Sequence, residues 1–83
     1  MEKLNNIEKY KKVFIETFNV KEDKLKNNLE YDSIPEWDSV GHMTMVAALE
    51  EAFDIVLEMD DIIDFSSFNY GKEILKKYEI EIK

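Results

Sequence analysis

Asp38, Ser39 and His42 are the residues of this chain whose types and spacing best suit chemistry, and all three fall within Glu36-Trp37-Asp38-Ser39-Val40-Gly41-His42-Met43. Ser39 follows an aspartate and opens a strongly apolar-periodic segment, which puts its hydroxyl at the start of a helix. A helix start leaves backbone N–H groups unpaired and carries partial positive charge, so it suits an attached phosphate. Asp and Ser before an apolar run are also ordinary helix caps, and the dipeptide by itself favours capping. Asp38, Ser39 and His42 superficially suggest a hydrolase triad. Ser39 and His42, three apart on a helix, fall within contact. Asp38, however, has to reach the far ring nitrogen from the helix start, and no oxyanion-hole loop is evident. The chain is therefore not expected to be an enzyme, and His42, the only histidine, is expected to be structural or partner-facing.

Other chemistries find less support. There is no cysteine, which excludes disulfides, thiolate catalysis and cysteine zinc sites, and fits a reducing compartment. The spacing Asp-x-Asp-x-Asp-Gly with a later Glu is absent, so no EF-hand is present. Asp54, Glu58, Asp60 and Asp61 offer only loose, nonspecific divalent binding, and no metal site is expected. There is no glycine-rich phosphate loop.

Charge is unevenly distributed. The net charge is −8, and all 11 basic residues are lysines. Residues 1–26 hold seven lysines and five acids, and residues 72–83 hold four lysines and three acids. Residues 27–71 hold 11 acids and no Lys or Arg: Glu30, Asp32, Glu36, Asp38, Glu50, Glu51, Asp54, Glu58, Asp60, Asp61 and Asp64. Nucleic-acid binding needs clustered cations and is not expected. An acidic run is usually a solvated face. Here it includes Ser39 and lacks local counter-charges, so partners with basic docking patches are expected.

The elements that must position Ser39 follow from hydrophobic spacing. With 83 residues the chain is expected to be one domain, 1–83, burying roughly 60–65% of its unfolded surface. A first helix is expected from Lys3 to Phe18, with Leu4, Ile7, Tyr10, Phe14 and Phe18 on one stripe and Asn19 closing it. A long connection follows to Asp38, with Val20, Leu25, Leu29 and Ile34 as apolar anchors, Pro35 barring a continuous helix, and a short turn near Lys21–Lys26. The second helix is expected from Ser39 to Phe53. Its face is read as Val40, Met43, Val46, Ala47, Leu49 and Phe53, broadened by Met45, Ala48 and Ala52. Gly41 costs that helix roughly 1 kcal/mol relative to Ala, which is tolerable where a backbone or ligand approaches closely. Asp54–Glu58 reads as an extended connection. Asp60–Phe65 reads as a short helix with Ile62, Ile63 and Phe65 inward. Ser66 and Ser67 offer a cap for a last helix, Phe68–Tyr78, with Phe68, Ile74, Leu75 and Tyr78 inward. The tail Glu79–Lys83 packs as an extended end or frays. Met43, Met45 and Met59 read as core filler. No segment has transmembrane length and no apolar leader follows Met1, so a soluble, cytoplasmic protein is expected.

With these features together, the chain resembles the acyl carrier proteins over nearly its full length. The resemblance rests on a first helix, a long loop, Asp38-Ser39-Val40 in place of the family's Asp-Ser-Leu, Leu49-Glu50-Glu51-Ala52-Phe53 behind it, an acidic short helix and a serine-capped last helix. It implies an all-α fold: a small helical bundle of three main helices plus one short helix, with a long first loop. It also implies that Ser39 carries a 4′-phosphopantetheine arm, delivered from coenzyme A, on which an acyl group travels as a thioester. A flexible arm ending in a thiol supplies the reactive group that the cysteine-free chain lacks, and it holds the cargo at high effective concentration near docked enzymes. Implied partners are a phosphopantetheinyl transferase and acyl ligase, acyltransferase or synthase enzymes with basic patches, acting on a monomeric carrier. Asp38, Glu50, Glu51, Asp54 and Glu58 then contribute to docking, and Val40, His42 and Met43 flank the attachment point as further partner-binding residues. Gly41 stands where many fatty-acid-synthesis carriers have an acidic residue after the motif, and His42 and Met43 follow it. The variant looks more like stand-alone carriers of specialised pathways. Two alternatives stand beside it: an unmodified acidic helical adaptor, and an aminoacyl or peptidyl carrier, whose usual glycines before the serine are here Trp37-Asp38.

Overall fold

The computed structural model describes residues 5–25 and 29–82, and these form four α-helices and one 3-10 turn. Helix α1, Asn6–Phe18, starts on a capping box: the Asn5 side chain accepts the Glu8 N–H at 2.9 Å, and Glu8 returns to the Asn5 N–H at 3.2 Å. Asn19 ends it in the left-handed conformation, φ 55°. The expected start at Lys3 and the stripe residue Leu4 lie outside the described residues. Glu22–Lys24 is the 3-10 turn, α2 spans Ser39–Phe53, α3 Met59–Asp64 and α4 Phe68–Lys76. The all-α class follows directly, as does the extended segment between α2 and α3.

The core is built around aromatic side chains. Tyr10, Phe14 and Phe18 are fully buried along α1, and Trp37, Phe65 and Phe68 close over them. Phe14 sits at the centre, with ring centroids 4.9 Å from Tyr10 and Phe68 and 5.5 Å from Trp37. Each such pair adds about 0.5–1.5 kcal/mol beyond its buried area. The Tyr10 hydroxyl donates to the Phe68 carbonyl at 2.5 Å, and burial pushes its ionisation well above the ordinary tyrosine range. Gly71 in α4 permits this packing, because a Cβ there would overlap the Tyr10 hydroxyl and the Phe65 ring.

The long connection is pinned at its middle, at residues 29–31. Leu29 is buried, its carbonyl accepts the Phe68 N–H at 2.9 Å, and the Tyr31 N–H donates to the Ser66 carbonyl at 2.8 Å. Glu30 and Ser67 form an isolated antiparallel bridge. Val20, Leu25 and Ile34 pack partly buried on the core, as the anchor reading requires.

Two expected faces and one helix end differ from the structure. In α2 the buried residues are Met45, Val46 and Leu49, whereas Val40 is 75% exposed and Met43 53% exposed, and Ala47 also faces solvent. The helix is apolar all round, so its periodicity does not choose a face. The choice is made by the aromatic residues of α1 and by Trp37. Consequently Met43, and Met59 in α3, are exposed rather than core filler, and Met45 alone of the three fills the core. In α3, Ile63 points outward, Ile62 is half-buried and Phe65 is buried just past the helix end. The inner position is taken by Asp61, because Lys77 and Tyr78 wait there to bind it. Finally, α4 ends at Lys76, with Glu79 at φ 65° reversing the chain. The tail after it packs: Ile80 is buried and the Asn6 side chain donates to the Glu81 carbonyl at 3.0 Å.

Candidate functional site

The start of α2 separates two jobs that the sequence leaves merged. Asp38 is the cap: its Oδ1 accepts the Gly41 N–H at 2.8 Å and its carbonyl accepts the His42 N–H at 2.7 Å. Ser39 is the first helical residue, exposed, and its hydroxyl is not used for capping. That hydroxyl lies 3.2 Å from the phenol oxygen of Tyr31. The N–H groups of the first turn other than those of Gly41 and His42 belong to Ser39 and Val40, which have no carbonyl of their own helix to bind. At Gly41 it is a backbone that approaches closely. A Cβ there would overlap the Glu36 carbonyl oxygen and lie 3.2 Å from the Phe18 ring.

His42 is held at both ring nitrogens. The Trp37 indole N–H donates to Nδ1 at 3.0 Å. An indole nitrogen can only donate, so Nδ1 is bare and Nε2 carries the hydrogen. Nε2 donates in turn to the Ile62 carbonyl at 2.8 Å. The imidazole therefore ties the end of the long connection, the first turn of α2 and helix α3 into one unit. Ser39 bonds to Tyr31 and His42 to Trp37 and Ile62, so the Asp38–Ser39–His42 triad pairing is not made.

Along α2 and α3 the surface is apolar and acidic by turns. Val40 and Met43, and Met59 and Ile63 of α3, are exposed large hydrophobic side chains. Asp38 and Glu51 are exposed, as are Asp54 at the α2 C-cap and Glu58 at the α3 N-cap. Glu50 differs from these: it is half-buried, and its carboxylate accepts the Leu57 N–H at 2.9 Å, fixing the extended segment. Glu51 lines a groove of about 360 Å³ between α1 and α2 together with Lys9, Lys12, Val13 and Ala52. Lys9 and Lys12 of α1 thus border one acid of the acidic stretch, and Lys77 pairs with another.

The clearest such case is Asp61. It is buried, accepts from Lys77 Nζ, and accepts from the Tyr78 hydroxyl at 2.5 Å. The bond from Lys77, then that from Tyr78, holds its carboxyl below the usual carboxylate range, and the same carboxylate holds Lys77 above the usual lysine range. Burial, then the bond to Asp61, raises Tyr78. The Tyr78 oxygen also accepts the Glu58 N–H at 2.9 Å, so one network joins the start of α3 to the end of α4.

Sequence reasoning missed Tyr31, Trp37 and Asp61. A single aromatic in a polar loop gives no periodic signal, and Asp61 sits in a run of acids that looks solvated throughout. The turn Glu30–Ser33 was the available clue to Tyr31, since a reversal eight residues before Ser39 can bring the two together. Ser33 Oγ closes that turn, accepting the Glu30 N–H at 2.9 Å and donating to its carbonyl at 2.6 Å. Among the described residues no group of three or more His, Cys, Asp or Glu side chains is placed to hold a metal ion, and no helix is long and apolar enough to cross a membrane. Comparison with protein-family models, with curated proteins and with solved structures finds no match to this chain.

Proposed function

We propose that the protein is an acyl carrier, with 4′-phosphopantetheine attached through Ser39 and an acyl group carried as a thioester on the arm. The observation that carries this reading is the division of labour at the α2 start. Asp38 does the capping, and the Ser39 hydroxyl is left exposed. The residues present fit a phosphodiester: the helix start offers free N–H groups and the positive end of its dipole, and the Tyr31 hydroxyl is a further donor within reach. Exposed Val40 and Met43 offer apolar contact beside it. When bound, the arm supplies a thiol that the chain itself does not contain.

In the attachment reaction Ser39 Oγ forms a bond to the phosphorus that bears pantetheine in coenzyme A. The bond from that phosphorus to the bridging oxygen breaks, and adenosine 3′,5′-bisphosphate leaves with the electron pair. The serine proton would go to a base of the transferase, and Mg²⁺ bound with the coenzyme would offset the charge of the phosphates. His42 supplies no base to this step, since both its ring nitrogens are occupied.

Docking follows from the same surface. The exposed acids Asp38, Glu51, Asp54 and Glu58 attract basic patches on the transferase and on acyl ligases, acyltransferases or synthases. Val40 and Met43 supply apolar contact, while His42 and Glu50 hold the surface in shape from behind. Such docking is transient and weakens as salt rises. A monomeric, cytoplasmic carrier is part of this proposal.

The test is intact mass after incubation with a phosphopantetheinyl transferase, coenzyme A and Mg²⁺. One arm is gained by the wild type and none by Ser39→Ala; no gain by the wild type with a competent transferase overturns the reading. The exposed apolar group Val40, Met43, Met59 and Ile63 also favours a second reading, an unmodified adaptor. An adaptor binds its partner equally well as wild type and as Ser39→Ala. Loading by acyl ligases as against adenylation enzymes separates an acyl from an aminoacyl carrier.

A further inference from the structure

We infer that Tyr31 is a positioning residue for the phosphodiester of the attached arm, an inference that rests on the proposed modification of Ser39. The phenol oxygen lies 3.2 Å from Ser39 Oγ, and in the unmodified protein either hydroxyl can donate. Attachment removes the serine hydrogen and turns Oγ into an ester oxygen, a poor acceptor. The phosphorus is then one bond from Oγ, and its non-bridging oxygens carry the negative charge. The Tyr31 hydroxyl keeps its hydrogen and has one strong acceptor beside it, so the bond passes from Oγ to a phosphate oxygen.

The phenol is prepared for that role by its surroundings. Its backbone is fixed by the Tyr31 N–H to the Ser66 carbonyl at 2.8 Å and by the Asp32 N–H to the Trp37 carbonyl at 2.8 Å. Asp32 holds the turn at φ 67°. The Tyr31 ring stands edge-on to His42, centroids 5.6 Å apart at 89°, and His42 is itself fixed at both nitrogens. Placement of a donor before the acceptor arrives removes the ordering cost of forming the bond. The charge pattern gives the phenol its importance. No Lys or Arg occurs between Lys26 and Lys72, and Asp38 stands next to Ser39. The donors placed beside Ser39 are the neutral Tyr31 hydroxyl and the unpaired N–H groups of the helix start. A neutral donor orients the anion without neutralising the acidic surface that draws in partners.

The test compares the arm-bearing wild type with arm-bearing Tyr31→Phe, which keeps the ring against His42 and removes only the hydroxyl. Circular dichroism and thermal melting check that both are folded. The ³¹P resonance of the phosphodiester is then read in the folded protein and again in urea. The wild type is expected to show a clear folded-minus-unfolded shift and a broadened line, and Tyr31→Phe to lose most of that shift with a narrower line. An unchanged ³¹P signal in Tyr31→Phe overturns the assignment, as does a wild type with no folded-minus-unfolded shift. If Tyr31→Phe fails to take the arm while the wild type succeeds, the phenol acts in the attachment step and the assignment is again overturned. If neither protein takes the arm, the carrier reading fails, and the assignment falls with it.

Discussion

Helices α2 and α4 both start with a serine, and the two serines are used differently. At α4, Ser67 is the cap itself: its Oγ accepts the Tyr70 N–H at 2.9 Å and is half-buried. At α2, Asp38 caps, and Ser39, one position later, keeps its hydroxyl exposed. A hydroxyl that caps is committed to its own backbone. A hydroxyl displaced by a neighbouring cap is available to something outside the chain. The difference lies in one residue of offset, and it separates a serine committed to its own helix from one whose hydroxyl is left exposed.

The contrast can be broken most sharply by removing each hydroxyl. Under the proposed function, Ser39→Ala abolishes the gain of the arm completely while leaving the urea midpoint where it was. Ser67→Ala should leave the gain intact. An arm on Ser39→Ala, or a large loss of stability in it, breaks the comparison.

The next effect concerns what holds the α2 start in place. Trp37 is fully buried against Phe14 and Phe18 and bonds His42. Trp37→Ala should cost about 3–5 kcal/mol in urea unfolding, the range for emptying a large aromatic site. A loss under ~1 kcal/mol would show that the α2 start does not depend on this support.

At the α4 end the fixing element is ionic. Lys77→Met should lower the urea midpoint, because Asp61 loses its charged donor and keeps Tyr78. Asp61 has its folded carboxyl held below the usual range, so the network's contribution is complete above the ordinary carboxylate value. It declines as pH falls below that value and is gone once pH passes below the folded one. Asp61→Asn should flatten this acid limb of the stability curve, and an unchanged limb would remove Asp61 from the account.

The smallest effects sharpen the comparison of caps. Asp38→Ala and Ser67→Ala should each cost about 1 kcal/mol, the ordinary value of a cap. Equal costs support the view that Asp38 and Ser67 do the same job. A negligible cost for Asp38→Ala would mean that Ser39 can take over as cap.

Much of this arrangement is legible in the residues. Local rules fix the bounds of α2, since Asp38 and Asp54 act over three or four positions at each end. The left-handed Asn19, the Ser67 cap and the tight contact behind Gly41 follow from chemistry of the same short range. Orientation is harder. Val40, Met43 and Ala47 satisfy a helical stripe as well as Met45, Val46 and Leu49 do, and only the aromatic surface of α1 decides between them. The same limit hides Asp61, whose partners Lys77 and Tyr78 come from 16 and 17 residues away. Tyr31 and Trp37 are long-range for another reason. Their positions depend on how the loop pairs with Ser66, which no single segment encodes. The candidate site was therefore legible at Ser39 and Asp38, and illegible in the aromatic residues that surround them.

The central claim is tested most directly by locating the modification. The wild-type protein is treated with a phosphopantetheinyl transferase, coenzyme A and Mg²⁺, digested, and its peptides fragmented by mass spectrometry. The chain has four serines: Ser33, Ser39, Ser66 and Ser67. The account predicts a single arm, on Ser39, with Ser33, Ser66 and Ser67 unmodified. An arm on any other serine, or none on Ser39 with a transferase active on another carrier, contradicts it.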